Sequence, residues 1–339
     1  MRKFAFYGAL SVLALGAGAA AAGTLEDVKA RGELLCGSNA GLAGFSAPDA
    51  AGVYQGFDVA MCRAIAAAVL GDPMKVKVIP LSSETRFTAL SAGEVDMLAR
   101  TSTWTYSRDT DLKLDFVAVN YYDGQGFMVK KSLGVSSAKE LDGATVCIQT
   151  GTTTELNLAD YFKANGMTYQ PVPLKDNAEA EQQYSAGACD VYTTDASGLA
   201  ATRATFADAG EHVILPEIIS KEPLALVVRH GDNQWGDIVR FTFDALIAAE
   251  EFGITSANVE EMSATVGTNP EINRLLGTEG ELGAMMGLDK DWAKRAIMAG
   301  GNYGEIFAAN IGEATPIGLA RGLNALWTQG GLQYSPPFR

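Results

Sequence analysis

The 339-residue chain is 47% hydrophobic and has a formal net charge of −14, with 26 basic residues against 40 acidic ones. That length suggests about two domains with sizeable cores. A surface this anionic repels nucleic acid and anionic lipid, so neither is an expected partner.

The N-terminus reads Arg2-Lys3, an apolar run over 4–19, then Ala20-Ala21-Ala22 before Gly23, the pattern of a secretory signal peptide over 1–22. The run is shorter than the roughly 20 residues a membrane span needs. Cleavage removes two cations and no acid, so the mature chain carries −16. No cysteine follows closely enough to take a lipid anchor, and no later segment is apolar enough to cross a membrane, which argues against a sensory ectodomain. Four cysteines remain after cleavage, an even number in an exported chain, which favours disulfides over four buried thiols. Cys36 ends Gly32-Glu33-Leu34-Leu35-Cys36 and Cys147 ends Gly143-Ala144-Thr145-Val146-Cys147, the same phrase opening two units. One bridge within each unit, Cys36 with Cys62 and Cys147 with Cys189, is the simplest pairing.

In chain order, 34–38 reads as a buried strand and 41–56 as a Gly-rich loop. Val59, Met61, Ile65, Val69 and Leu70 mark a helix over 57–70, stopped by Gly71-Asp72-Pro73. A strand over 75–81, a helix over 84–92 and a strand over 95–99 follow. The order restarts after a strand over 121–128, with strands at 145–149, 169–173 and 190–194 and helices at 153–165 and 177–186. Strands alternating with helices predict parallel sheets with right-handed crossovers. Further strands are expected at 214–219 and 224–229, and an amphipathic helix over 234–251 capped by Gly253. The remainder reads as helices at 291–298, 303–310 and 319–328 with glycine breaks, closed by an extended Pro336-Pro337 strap.

Ser91-Ala92-Gly93-Glu94-Val95-Asp96 has a partial twin in Ser185-Ala186-Gly187-Ala188-Cys189-Asp190. Five residues beyond each aspartate stand Thr101 and Asp195, at the carboxyl ends of equivalent strands, where ligands of open α/β sheets bind. Close to the first, Arg108 offers a planar fork for a carboxylate, and Thr101 and Thr103 add hydroxyl donors. In the second unit, Gln149-Thr150-Gly151-Thr152-Thr153-Thr154-Glu155 turns from a strand through glycine into a helix start, where free amides attract an anion and Thr with Glu also fits capping. An arginine, an amide nest and one aspartate together match a carboxylate beside an ammonium, the common part of an α-amino acid.

Over about 32–252 these residues resemble the substrate-binding proteins of polar amino-acid ABC transporters. The resemblance implies an α/β, two-lobed periplasmic binding protein of the type II, Venus-flytrap kind, with hinge crossovers. Lobe 1 would span 23–124, completed by 222–254, lobe 2 would span 125–221, and 255–339 would be an additional helical extension packed on the lobes. It implies ligand contacts at Thr101, Thr103, Arg108, Thr153, Thr154 and Asp195, with Phe45 covering the ligand side chain. Trp104, Arg86 and Gln55 are secondary candidates. The long tail, with Tyr121-Tyr122-Asp123-Gly124-Gln125-Gly126 and Asn302-Tyr303-Gly304-Glu305, is similar to the larger subgroup serving general L-amino-acid or glutamate, glutamine and aspartate uptake.

The function expected is periplasmic capture of L-amino acids with broad specificity and delivery to an inner-membrane permease. No cofactor and no metal are expected, and a monomer is. A narrower glutamate, glutamine and aspartate binder is the alternative. The absence of a G-x-x-x-x-G-K-[ST] loop leaves ATP hydrolysis to separate subunits. His212 and His230 are the two histidines and do not stand in an H-E-x-x-H pattern. The alternative from another class, a dehydratase on the same scaffold, would need a cleft acid of raised pKa, for which Glu84 or Glu155 can be proposed.

Overall fold

The computed structural model describes residues 23–339, so the signal peptide expected over 1–22 lies outside the described residues. After a short helix, Thr24–Arg31 (α1), strand Leu34–Ser38 (β1) leads into a small hairpin, Ala47–Pro48 (β2) with Tyr54–Gln55 (β3). Helix Phe57–Leu70 (α2), strand Val76–Pro80 (β4), helix Arg86–Ser91 (α3) and strand Met97–Thr103 (β5) complete the first α/β unit. Helix Tyr106–Thr110 (α4) and strand Leu114–Asp123 (β6) follow. β1 pairs in parallel with β4 and β5, as the alternation of strands and helices predicts.

At Gly124 the chain leaves this sheet and continues as Gln125–Lys130 (β7) in a second one. There Thr145–Gln149 (β8), Thr153–Ala164 (α5), Gln170–Leu174 (β9), Asn177–Ser185 (α6), Val191–Asp195 (β10) and Ala196–Thr205 (α7) repeat the α/β order. After His212–Ile214 (β11) the chain returns to the first sheet as Glu222–Arg229 (β12), followed by Asn233–Glu251 (α8). The sheet orders are β4-β1-β5-β12-β6 and β11-β7-β10-β8-β9.

Both sheets are therefore mixed rather than wholly parallel. β12 runs antiparallel to β5 and β6, and β7 antiparallel to β10 and β11, because these strands carry the chain out of one lobe and back. The single strand expected over 121–128 is divided at Gly124. A Cβ there would collide with Ile218 and come within 2.7 Å of Ser220 O, so the two crossovers touch at a position only glycine fits. The strand expected over 214–219 is not formed: the strand here, His212–Ile214, ends two residues before Pro216, and beyond it only Leu215 N and Ile219 N still donate to β7, at Phe127 O and Gln125 O.

Two disulfides, Cys36–Cys62 and Cys147–Cys189, tie β1 to α2 and β8 to the loop before β10. The twin aspartates have twin duties: Asp96 accepts the amide of Leu35 at 2.7 Å, and Asp190 accepts that of Thr145 at 3.0 Å. Each thereby sets the register between the outgoing strand and its neighbour.

The tail forms Val259–Met262 (α9), Pro270–Leu275 (α10), Leu282–Met285 (α11), Trp292–Gly300 (α12) and Tyr303–Asn310 (α13). α12 lies along α2, with Ala64 and Ala68 on one helix and Ala293 and Ala296 on the other all buried, small side chains that let the axes approach. Asn302 and Glu305 cap α13 reciprocally, and Tyr303 reaches back to Asn120 O at 2.9 Å. The helix expected over 319–328 is instead two 3₁₀ turns, Gly322–Asn324 and Trp327–Gln329. Beyond the prolines, buried Phe338 packs on Phe241 and Trp292. The extension shares one hydrophobic cluster with α2, α8 and β12 of the first lobe.

Candidate functional site

The carboxyl ends of β5 and β10 face each other across the cleft, and the lobes are shut upon it. A cavity of about 30 Å³ remains, lined from the first lobe by Asn39, Leu42, Arg86, Arg100, Thr101 and Thr103. From the second lobe come Gln149, Thr152, Thr153, Thr154, Thr194 and Asp195. Thr150 Oγ1 closes the rim by donating to Glu84 Oε1 at 2.7 Å.

A bulge delivers the first-lobe residues. The β5/β12 register slips between Ala225 and Val227, and Thr101 adopts φ +40°, a left-handed value costly for a β-branched residue. The bulge breaks the two-residue alternation of the strand, so Arg100 and Thr101 both line the cavity although they are consecutive. Asn39 steadies Thr101 by donating to its Oγ1 at 3.1 Å.

Three guanidiniums gather here. Arg86 and Arg108 lie on Phe87, 4.6 Å and 5.0 Å from its ring centre. Arg108 donates through Nη1 to Thr103 O at 2.9 Å, and Arg100 donates through Nε to Leu81 O at 3.2 Å. Burial, together with Arg100 and Arg108, pushes Arg86 well below its usual range, opposed by Asp195. Burial likewise brings Arg100 down to about 10, with Asp58 opposing.

The acids are displaced the other way. Burial, then Asp123 and Glu222, raise Asp195 well above the ordinary carboxyl range, while Arg86 and Arg108 oppose the rise. Burial raises Asp123 to about 6 against hydrogen bonds from Ser197. The site thus holds buried cations and buried acids in opposing groups, an arrangement suited to a zwitterion.

Three polar side-chain atoms of the lining residues lack partners: the buried Arg86 Nε, Gln149 Nε2 and Ser197 Oγ. The two nitrogens are donors. Thr152 caps α5 by accepting from Glu155 N, as a Thr with Glu three residues on leads one to expect, and Glu155 accepts from Gly151 N at 3.1 Å.

A family model described as bacterial extracellular solute-binding proteins, family 3, matches residues 34–257, about two thirds of the chain. The chain belongs to that family. This solute-binding protein is 73% identical, over the full length of both chains, to the glutamate/glutamine/aspartate/asparagine-binding protein BztA of Rhodobacter capsulatus. It is 58% identical to the general L-amino acid-binding periplasmic protein AapJ of Rhizobium johnstonii, with 97% of this chain and 96% of that one covered. A periplasmic binding protein from Brucella ovis, solved with glutathione bound, is similar at 56% identity and a TM-score of 0.91, covering 94% of this chain and 100% of that one.

Of the residues singled out in the sequence, the solute-binding protein brings Thr101, Thr103, Thr153, Thr154, Asp195 and Arg86 together around the cavity. Arg108 stands behind Thr103, close enough to feel the charges of Glu222 and Asp195 but outside the lining. Phe45 does not cover the cleft. The close approach of Gly56 to Phe45 O folds the loop tightly onto α2, and the ring packs edge-on against Phe57 and Tyr121 in the core. Leu42 takes the place at the cavity wall. Trp104, just past the end of β5, lies away from the cavity, where it stacks on Phe116 and donates to Asp109 at 2.7 Å. Gln55 is bonded to Arg63 and Asp49 on the β2–β3 hairpin, away from the site. Arg100, Gln149, Asn39 and Glu222 belong to the site neighbourhood and had not been singled out. A charged residue inside the apolar run Met97-Leu98-Ala99-Arg100 was the available signal for Arg100.

Proposed function

We propose that this protein is the periplasmic capture component of an ABC importer. It binds L-amino acids by closing two lobes over them and presents them to a membrane permease served by separate ATPase subunits. Acceptance is broad because the cleft addresses the α-ammonium and α-carboxylate. Binding is strongest for glutamate, glutamine and aspartate, whose side chains end in a carboxylate or carboxamide.

The observation that carries this reading is the pair of unpartnered buried donors, Arg86 Nε and Gln149 Nε2, on a cavity that also holds Asp195. A buried donor without a partner costs about 1–3 kcal/mol, which a side-chain oxygen recovers. Three crowded guanidiniums favour an added anion, and the raised Asp195 favours a cation beside it. The names carried by the two relatives, one acid- and amide-binding and one general, support the two halves of the reading.

The two glutamates proposed for the enzyme alternative do not stand in the cleft. Glu84 is exposed on the rim and Glu155 is bonded to Gly151 N, and neither lines the cavity. Calorimetry with glutamate, glutamine, aspartate, alanine, leucine, histidine and glutathione tests the proposal. All the free amino acids should bind, the acidic and amide ligands about 10-fold or more tighter than alanine. Equal affinity for alanine and glutamate would show that the two donors do not read the side chain. No binding of any amino acid would reject the function, as would conversion of a prephenate-like substrate.

A further inference from the structure

Glu222 is 1% exposed at the start of β12, where the second crossover re-enters the first lobe. Its Oε2 accepts from Thr103 Oγ1 at 2.6 Å and Thr153 Oγ1 at 2.8 Å; its Oε1 accepts from Asn157 Nδ2 at 2.7 Å and Ser220 Oγ at 2.6 Å. Thr103 ends β5 in the first lobe. Thr153 and Asn157, one turn apart on α5, belong to the second, and Ser220 lies on the crossover itself. One carboxylate therefore joins both lobes and the hinge, with each oxygen holding two donors, the full capacity of an ionised carboxyl group.

This has a chemical consequence for the threonines. A hydroxyl carries one proton, and those of Thr103 and Thr153 are both directed to Glu222. Neither has a second proton for a ligand carboxylate. Toward the cavity they offer lone pairs, which suits an ammonium.

We propose that Glu222 is a positioning residue, an interlobe clasp whose bonds to Thr103, Thr153 and Asn157 set how readily the lobes close and thereby scale affinity for every ligand alike. The inference rests on the reading that the lobes close over an amino acid. Opening the cleft separates Thr103 from Thr153 and Asn157, so the four-donor arrangement exists only in the shut form. The apparent dissociation constant is the intrinsic one divided by the closed fraction. A residue acting through that fraction shifts all ligands by one factor and leaves their ranking intact.

The test uses the full mature chain with Glu222→Ala, Glu222→Gln and Asn157→Ala, alone and with Asn157→Ala combined with Glu222→Ala. Calorimetry with glutamate, glutamine and alanine should show Glu222→Ala weakening all three by the same factor, roughly 10- to 100-fold. Solution scattering should show a larger radius for the ligand-free variant and the wild-type radius at saturation. Asn157→Ala, outside the cavity lining, should weaken binding in the wild-type background and cost little more once Glu222 is gone, because the two side chains form one device. Losses that differ from ligand to ligand, or an Asn157→Ala penalty undiminished in the Glu222→Ala background, would overturn the clasp. Should Glu222→Ala fail to fold, Glu222→Gln and Asn157→Ala carry the same comparison, since the amide keeps the shape but turns a donor toward two of the four donors. If the wild-type chain binds no amino acid, the function proposed above fails, while the ligand-free radii still judge the clasp.

Discussion

Replacing Arg86 by methionine removes one guanidinium from the cavity wall while keeping most of its apolar stem. Two effects follow, and they act on different ligands. Every amino acid loses some affinity, because Arg86 is the first of the charges that help Asp195 ionise to meet an ammonium. Only a ligand with a side-chain oxygen also loses a donor that is 2% exposed and has no protein partner at Nε. Truncating one partner of a buried charged pair costs about 2–5 kcal/mol, or roughly 30- to 5,000-fold. Alanine, which feels only the first effect, should weaken by less than about 10-fold, and relief of the crowding between Arg86, Arg100 and Arg108 moderates even that. Glutamine should fall between the two, since its carboxamide oxygen is neutral. Calorimetry of wild type and variant with the three ligands gives the decisive quantity, the ratio of glutamate to alanine affinity. A ratio unchanged by the mutation, in a variant that melts as the wild type does, would refute the assignment of Arg86 to the ligand side chain.

Asp195→Asn should weaken amino acids more than their deaminated analogues, since the amide retains the shape but not the charge; equal weakening, measured by calorimetry, would place the ammonium elsewhere. Asp58 and Asp244, raised to about 7 mainly by burial, and Asp123, raised to about 6, hold protons in the folded chain that the unfolded chain has released. Their contribution is complete below the unfolded carboxyl pKa and is lost as pH rises through the folded values, so the ligand-free protein should melt higher at about pH 5 than at about pH 7.5. Asp244→Asn should then stabilise by roughly 1–3 kcal/mol at about pH 7.5 and do little at about pH 5, as thermal melts at the two pH values will show. Replacing Cys36 and Cys62 by serine, or Cys147 and Cys189, should cost about 3.5 and about 3.9 kcal/mol in denaturant unfolding, the difference following the separations of 26 and 42 residues. A larger loss from the shorter loop would show that strain or burial, not chain entropy, governs these bridges.

Much of this protein was determined by local and periodic signals. The strands 34–38 and 145–149 and the helix over 57–70 stand where apolar spacing and glycine stops placed them, because burial of one face is written residue by residue. The Ser-Ala-Gly twin marked Thr101 and Asp195, and both line the cavity, since equivalent turns deliver equivalent strand ends. What depended on long-range geometry was not legible. Phe45 and Leu42 lie three residues apart on one loop, and only the approach of Gly56 decides which is core and which is wall. Arg100 enters the site through a bulge that defeats the alternation from which its direction would be read. Glu222 lies 119 residues from Thr103 and 69 from Thr153, so its bonds to both exist only once two sheets and a hinge have brought them together. A sequence states what each residue prefers near its neighbours along the chain, whereas the sharing of one carboxylate between two lobes is a property of distances that the closed tertiary structure alone sets.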